Sequence, residues 1–185
     1  PSGAQAPVRS FPTCNSVTRV VVTSDTHLPR FGRALPAELV AALESADLIL
    51  HAGDLTQAFV LDLLAEFAPV VAVAGNNDPP ELVEQLGTKR VIDVDGVGIG
   101  LTHGHLGPGR TTPERAWRLF AQEDPPVDAI CFGHSHISLV TQRDGVWVLN
   151  PGSPTDTRRQ PTYSYLRINV REGTLEPQLV TFDQS

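Results

Sequence analysis

Residues 129–136 read Ala129-Ile130-Cys131-Phe132-Gly133-His134-Ser135-His136. A short apolar run suited to a buried strand ends in a glycine, and two histidines follow with one residue between them. In an extended segment residues i and i+2 point the same way, and Gly133 can take the backbone turn that presents both imidazoles together. Neutral imidazoles aimed at one point suit a divalent metal ion. Alone the pattern is weak, because a chain with six histidines can show it by accident. Its weight depends on whether other strands end in the same way.

Working outward, Val17 to Thr23 is β-branched and apolar and predicts a buried strand that breaks into Ser24-Asp25-Thr26-His27-Leu28-Pro29. Leu35 to Glu44 has apolar residues at helical spacing. Asp47 to Ala52 is the next strand, ending at Gly53-Asp54, and Ala58 to Phe67 is again helical. Pro69 to Ala74 is a third strand, ending at Gly75-Asn76-Asn77-Asp78, and Pro80 to Leu86 predicts a short helix with its prolines at the start. Arg90 to Val94 and Val97 to Thr102 predict a hairpin around Asp95-Gly96, leading to His103-Gly104-His105. Thr111 and Glu114 fit a capping box opening a helix to about Gln122. After residues 128–132 come two more hairpins, around Asp144-Gly145 and Glu172-Gly173, separated by the loop Asn150-Pro151-Gly152-Ser153-Pro154.

The first half alternates strand and helix, which implies parallel strands with right-handed crossovers. The second half is rich in hairpins, which implies antiparallel pairing. Together they predict an α/β fold of mixed sheets with helices outside. A flexible N-terminal arm, residues 1–15, precedes a single domain, residues 16–185.

Asp25, Asp54, Asn76, His103 and His134 each stand just beyond a predicted strand. In α/β sheets ligands bind at the carboxyl ends of strands, where loops converge. Each residue has a plainer explanation by itself. Asp25 can form a turn, Asp54 can cap a helix, Asn76 and Asn77 can sit in left-handed turns, and His103 and His105 can be exposed loop residues. His51, inside an apolar run, reads as a hydrogen-bonded core histidine. Jointly, at five strand ends, the plain explanations fail. With His27 and His136 there are seven oxygen and nitrogen donors, more than one protein-bound ion uses, so they fit two metal ions sharing a bridging carboxylate.

Asp25-Thr26-His27, Gly53-Asp54, Gly75-Asn76, His103 and Gly133-His134-Ser135-His136, in this order, resemble the signature of the calcineurin-like metallophosphoesterases. The Gly75-Asn76-Asn77-Asp78 form, the loop Asn150 to Ser153 and the short length look most like the small bacterial and archaeal phosphodiesterase branch, to which a retromer scaffold subunit is related. The resemblance implies two mixed β-sheets packed as a sandwich flanked by helices, a four-layer αββα fold. It implies that Asp25, His27 and His136 bind a first divalent metal, that Asn76, His103 and His134 bind a second, and that Asp54 bridges them. Manganese is the commonest ion it implies, with iron, zinc, nickel or cobalt as alternatives that the mixed donor set does not separate. Two such ions about 3.5–4 Å apart generate a bridging hydroxide and screen the charge that builds up as it attacks a phosphodiester.

Many relatives carry a histidine where this chain has Asn77, and that histidine helps protonate the leaving group. Asn77 can donate a hydrogen bond but no proton, so a preference for good leaving groups or a replacement acid is expected. His105 is the candidate acid, and both residues are assigned to catalysis. Asn76, His105, Asn150, Gly152, Ser153 and Arg158 are candidate substrate contacts, Arg158 because guanidinium matches phosphate. The loop 150–153 can equally just turn the chain, and Arg158 can equally be an ordinary surface residue.

The net charge of −7 argues against nucleic acid as a binding partner other than as a substrate end. No stretch is long and apolar enough to span a membrane, and residues 1–15 lack the blocks of a secretory signal. Cys14 and Cys131 make no disulfide framework and read as free thiols in a reducing cytoplasm. A small phosphoester is the expected partner, and association into a homo-oligomer is left open. Two other readings compete. One is a non-catalytic scaffold of the same fold, whose members lose metal-ligand histidines that this chain keeps. The other is a mononuclear hydrolase, which leaves three donors without a role.

Overall fold

Three parallel strands, β1 (Thr18–Thr23), β2 (Leu48–His51) and β3 (Val70–Ala72), begin the fold because a helix returns the chain after each of the first two. These helices are α1 (Ala37–Leu43) and α2 (Phe59–Ala65). The computed structural model describes residues 17–32 and 34–183. The N-terminal arm and Cys14 lie outside the described residues. α3 (Pro80–Leu86) follows, with β4 (Lys89–Val94), β5 (Val97–Thr102), α4 (Thr112–Phe120) and β6 (Ala129–Cys131). β7 (Leu139–Arg143), β8 (Val146–Asn150), β9 (Tyr163–Arg171) and β10 (Thr174–Phe182) complete it.

Two five-stranded sheets result, in the orders β10-β9-β1-β2-β3 and β4-β5-β6-β8-β7. Alternation along the strands decides the layers. Val20, Val22, Leu50 and Ile168 point into the space between the sheets, against Ile99, Leu101 and Cys131. Val21 and Ile49 point the other way, onto Leu39, Leu43, Val60 and Leu64 of the helices. Ile130 and Val148 face Ala116 and Phe120 of α4. The order is helices, sheet, sheet, helix, the expected αββα sandwich. Among the described residues no helix is long and apolar enough to cross a membrane.

The expected hairpins are all present, each turning at a pair of left-handed residues: Asp95-Gly96, Asp144-Gly145 and Glu172-Gly173. Between strands of the second half the expected antiparallel pairing is confined to the hairpins, because β5, β6 and β8 are mutually parallel. A hairpin decides the pairing of its own two strands and nothing more. β6 has no hairpin mate, and all three of its residues are buried. A strand covered on both faces suits a central parallel position. The capping box at α4 is half formed: Thr111 Oγ1 accepts from the Glu114 N–H at 3.3 Å, but the Glu114 carboxylate reaches the N–H of Arg110 instead of Thr111.

Register places the site. Thr23, His51 and Ala72 lie in one row of the first sheet, and Leu101, Cys131 and Leu149 in one row of the second. The loops that follow these residues therefore leave from the same edge of the sandwich.

Candidate metal centre

Five of the seven expected donors have left-handed backbone: Asp25 (φ 54°), His27 (φ 46°), Asp54 (φ 61°), His134 (φ 67°) and His136 (φ 58°). Such a conformation costs a non-glycine residue about 1–3 kcal/mol and persists only where the surroundings impose it. The strand ends are curled back so that their side chains converge. The turn expected at Gly133 is made by the histidines themselves. Gly133 is required for a different reason: a Cβ there would lie 1.9 Å from Ser24 Oγ and 2.6 Å from Asp25 Oδ2. Gly75 is pressed in the same way against Asp54, with Oδ1 2.1 Å from where its Cβ would stand.

Hydrogen bonds orient the donors. Asp25 Oδ2 accepts from Ser24 Oγ at 2.7 Å and from the His134 N–H at 2.9 Å. Asp25 Oδ1, fully buried, has no hydrogen-bond partner; it faces Nε2 of His136 at 3.2 Å, of His27 at 3.8 Å and of His103 at 4.0 Å. Asp54 Oδ2 lies 3.3 Å from His103 Nε2 and 3.6 Å from His27 Nε2, between the two. Nδ1 of His103 donates to the Ala52 carbonyl at 2.7 Å, and Nδ1 of His136 to the Asp156 carbonyl at 2.6 Å. A carbonyl only accepts, so each neutral ring carries its proton on Nδ1 and turns a bare Nε2 to the centre. There His103 Nε2 meets Asn76 Oδ1 at 3.2 Å, and His136 Nε2 meets His27 Nε2 at 3.3 Å. Lone pairs thus face lone pairs and carboxylate oxygens, an arrangement that cations relieve.

The titration of these groups reflects the same crowding. Burial opposes ionisation of Asp25, but His136, His103 and Ser24 outweigh it and hold the carboxyl below its ordinary value. Asp54 is lowered likewise, against burial, by His103 and Asn77. Burial disfavours charge on His103 and His136, yet the carboxylates of Asp54 and Asp25 respectively raise both. His27 and His134 are lowered, chiefly by burial.

Among the described residues two groups satisfy the geometry of a metal site: Asp25, His27 and His136, and Asp25, Asp54 and His103, with ligand atoms within 4.8 Å of one another in each. Asp25 belongs to both. Asn76 and His134 flank the second group, the His134 ring standing 5.1 Å from that of His103. Five of the seven expected donors fall in these two groups, Asn76 and His134 stand beside them, and this mixed carboxylate, amide and imidazole chemistry fits divalent cations.

The other expected residues divide. Asn77 donates both its N–H (2.8 Å) and its Nδ2 (2.6 Å) to Asp54. The His105 ring stands 5.3 Å from His103 and 6.2 Å from His134, its Nδ1 without a hydrogen bond. Burial, with His103 and His134 nearby, lowers its pKa. Asn150, Gly152 and Ser153 do not line an open face. They are buried, with Asn150 Nδ2 donating to the Gly133 carbonyl at 2.9 Å and Ser153 Oγ to the Asp25 carbonyl at 2.8 Å. This loop props up the metal-ligand loops, and the substrate contact expected of it is replaced by that role. Arg158 is exposed, near Asp156. His51 is the core histidine expected, accepting the Gly53 N–H at Nδ1 and adjoining Thr26 Oγ1 at Nε2, and burial drives its pKa down to about 4.

Asp78 was missed. Its carboxylate accepts three backbone N–H groups, from Asp54 (2.9 Å), Gly75 (2.7 Å) and Thr56 (2.6 Å). It ties the loop that carries Asp54 to the loop that carries Asn76. An acidic residue directly after Gly-Asn-Asn and before two prolines was the available signal.

Residues 18–173 match the model of the calcineurin-like phosphoesterase superfamily domain. The chain is 34% identical over 163 residues to a probable metallophosphoesterase of Methanocaldococcus jannaschii, covering 88% of this chain and 81% of that one. A phosphodiesterase of the same organism is 26% identical over 148 residues, 72% of this chain and 82% of that one. Among solved structures, a single mutant of Vps29 from Entamoeba histolytica superimposes with a TM-score of 0.71 at 26% identity, covering 89% of this chain and 99% of that one.

Proposed function

The chain belongs to the calcineurin-like phosphoesterase superfamily, and from that premise we propose that it is a phosphodiesterase working with two divalent metal ions. The observation that carries this reading is the position of Asp54 Oδ2 between His103 Nε2 and His27 Nε2, at 3.3 and 3.6 Å. Asp25, His27 and His136 would hold one ion, Asn76, His103 and His134 the other, and Asp54 both. Manganese is the ion we favour, on the family resemblance. Such a pair supplies a water acidic enough to ionise near neutral pH and positive charge for the phosphoryl oxygens.

The chain's own residues do the remaining work. The Ala52 and Asp156 carbonyls fix the tautomers of His103 and His136, so both rings present Nε2 without rearrangement. Asn77 steadies Asp54 and offers no proton. His105, with its lowered pKa, is mostly neutral at pH 7 and holds few protons for a departing alkoxide. Esters whose alcohol leaves without help, aryl esters above all, are therefore the better substrates, and His105 adds more on the acid side of neutrality.

The likeness to Vps29 carries the fold alone; retention of all seven donors is what favours an enzyme over a non-catalytic binding surface. The free, buried Cys131 supports a reducing compartment, the cytoplasm. The test is metal analysis coupled to hydrolysis of bis-p-nitrophenyl phosphate with and without added manganese. Metal-dependent turnover is expected, and its absence with every divalent ion tried would overturn the reading.

A further inference from the structure

Beside His27 an open groove of about 260 Å³ is lined by Arg30 and Phe31 from one loop, by Asp156 and Arg158 from another, and by Asn77. Its lining combines an aromatic ring with two guanidinium groups. Phe31 is among the few large apolar side chains left exposed, at 41%. Its ring stands edge-on to the His27 imidazole, 6.0 Å between centroids at 76°. The Arg30 guanidinium lies 5.2 Å from the ring centroid. Arg158, from the second loop, is also exposed, and its backbone is held left-handed (φ 51°) with its N–H donated to Asp156 Oδ1 at 3.1 Å. Asp156 is the residue whose carbonyl orients His136. Two arginines and an aromatic ring thus border the metal centre in a chain of net charge −7, and both loops are tied to metal ligands.

We propose that this groove is the subsite for the organic group retained by the diester, and that it selects a planar aromatic group, a nucleobase or an aryl ring, laid against the exposed part of Phe31 between the two guanidinium groups. The inference rests on the phosphodiesterase reading above. Every base and every aryl ring has a π-face that an exposed aromatic side chain and an adjacent guanidinium can hold, whereas an alkyl group gains neither contact. The groove is too small for a macromolecular chain to settle into, which directs it to one such group next to the phosphate.

The test compares two p-nitrophenyl diesters that share a leaving group, the thymidine 5′-phosphate ester and the methyl phosphate ester, on manganese-loaded protein. The kcat/KM ratio is expected to favour the thymidine ester by at least about tenfold, to fall toward one in Phe31→Ala, and to be kept in Phe31→Trp. Calorimetric titration of chelator-treated protein with thymidine 5′-monophosphate and with methyl phosphate is expected to show the same preference. Equal kcat/KM for the two esters, unmoved by Phe31→Ala, together with equal binding, overturns the subsite and leaves the hydrolase reading standing. No turnover of either ester with any divalent ion overturns that reading, and the subsite with it.

Discussion

Asp54 and His103 face each other across 3.3 Å, carboxylate oxygen to imidazole Nε2, while the other ring nitrogen is already bound to the Ala52 carbonyl. Neither group can turn away: Asp54 is pinned by Asn77 and by its own left-handed backbone, and His103 is fully buried. Replacing Asp54 by Asn keeps the shape and removes the charge. Turnover of an aryl phosphodiester should drop at least about 100-fold, a loss of a few kcal/mol of transition-state stabilisation, and the bound metal per chain should drop with it. Steady-state kinetics and elemental analysis of the same samples check this.

Asp78 touches no reacting group, so Asp78→Ala should act through position. Three amides lose their acceptor, and metal affinity should weaken about 10–100-fold, as for other residues that orient ligands. Excess manganese should restore much of the turnover number, whereas it should not for Asp54→Asn. A metal titration followed by activity separates the two.

Gly133→Ala should be among the most damaging single substitutions, because the new methyl group would overlap Ser24 and Asp25. Overpacking of this kind costs about 1–3 kcal/mol and moves backbone. Urea unfolding should show that loss, and the variant should bind less metal even where it is folded.

His51 makes stability depend on pH. Its folded pKa, about 4, lies below the ordinary 6.5, so its contribution is complete above pH 6.5 and is lost as pH falls toward 4. The unfolded chain takes up a proton there that the folded one refuses, which amounts to about 3 kcal/mol over the whole window. Urea midpoints measured at pH 7, 6 and 5 should fall more steeply in the native chain than in His51→Phe, and equal slopes would show that His51 is not the group responsible.

The donors were legible in the sequence because the signals are local. A largely apolar run stops, a glycine follows, and Asp54 or His134 stands next. The hairpin turns were equally plain, since Asp-Gly calls for two left-handed residues whatever surrounds it. What escaped depends on which strands become neighbours. β6 gives no hint in its own residues that it lies between β5 and β8. Gly133 reads in the sequence as a turn residue, and its real constraint, close packing against Ser24 and Asp25, comes from residues more than a hundred positions earlier. The loop at Asn150, open in the sequence between a phosphate contact and a simple turn, is a buried strut for the same reason: its partners, the carbonyls of Gly133 and Asp25, come from other strand ends. Asp78 went unread because its one signal, an acidic residue directly after Gly-Asn-Asn, does not say which backbone amides the fold will bring to it.

If Asp54 holds two ions at once, protein loaded with manganese carries them as a coupled pair. Electron paramagnetic resonance on protein titrated with manganese tests it most directly. Two ions per chain should bind and give the spectrum of an exchange-coupled pair, and Asp54→Asn should lose that coupling. Saturation at a single ion, or two ions whose spectra are those of isolated manganese, would contradict the account.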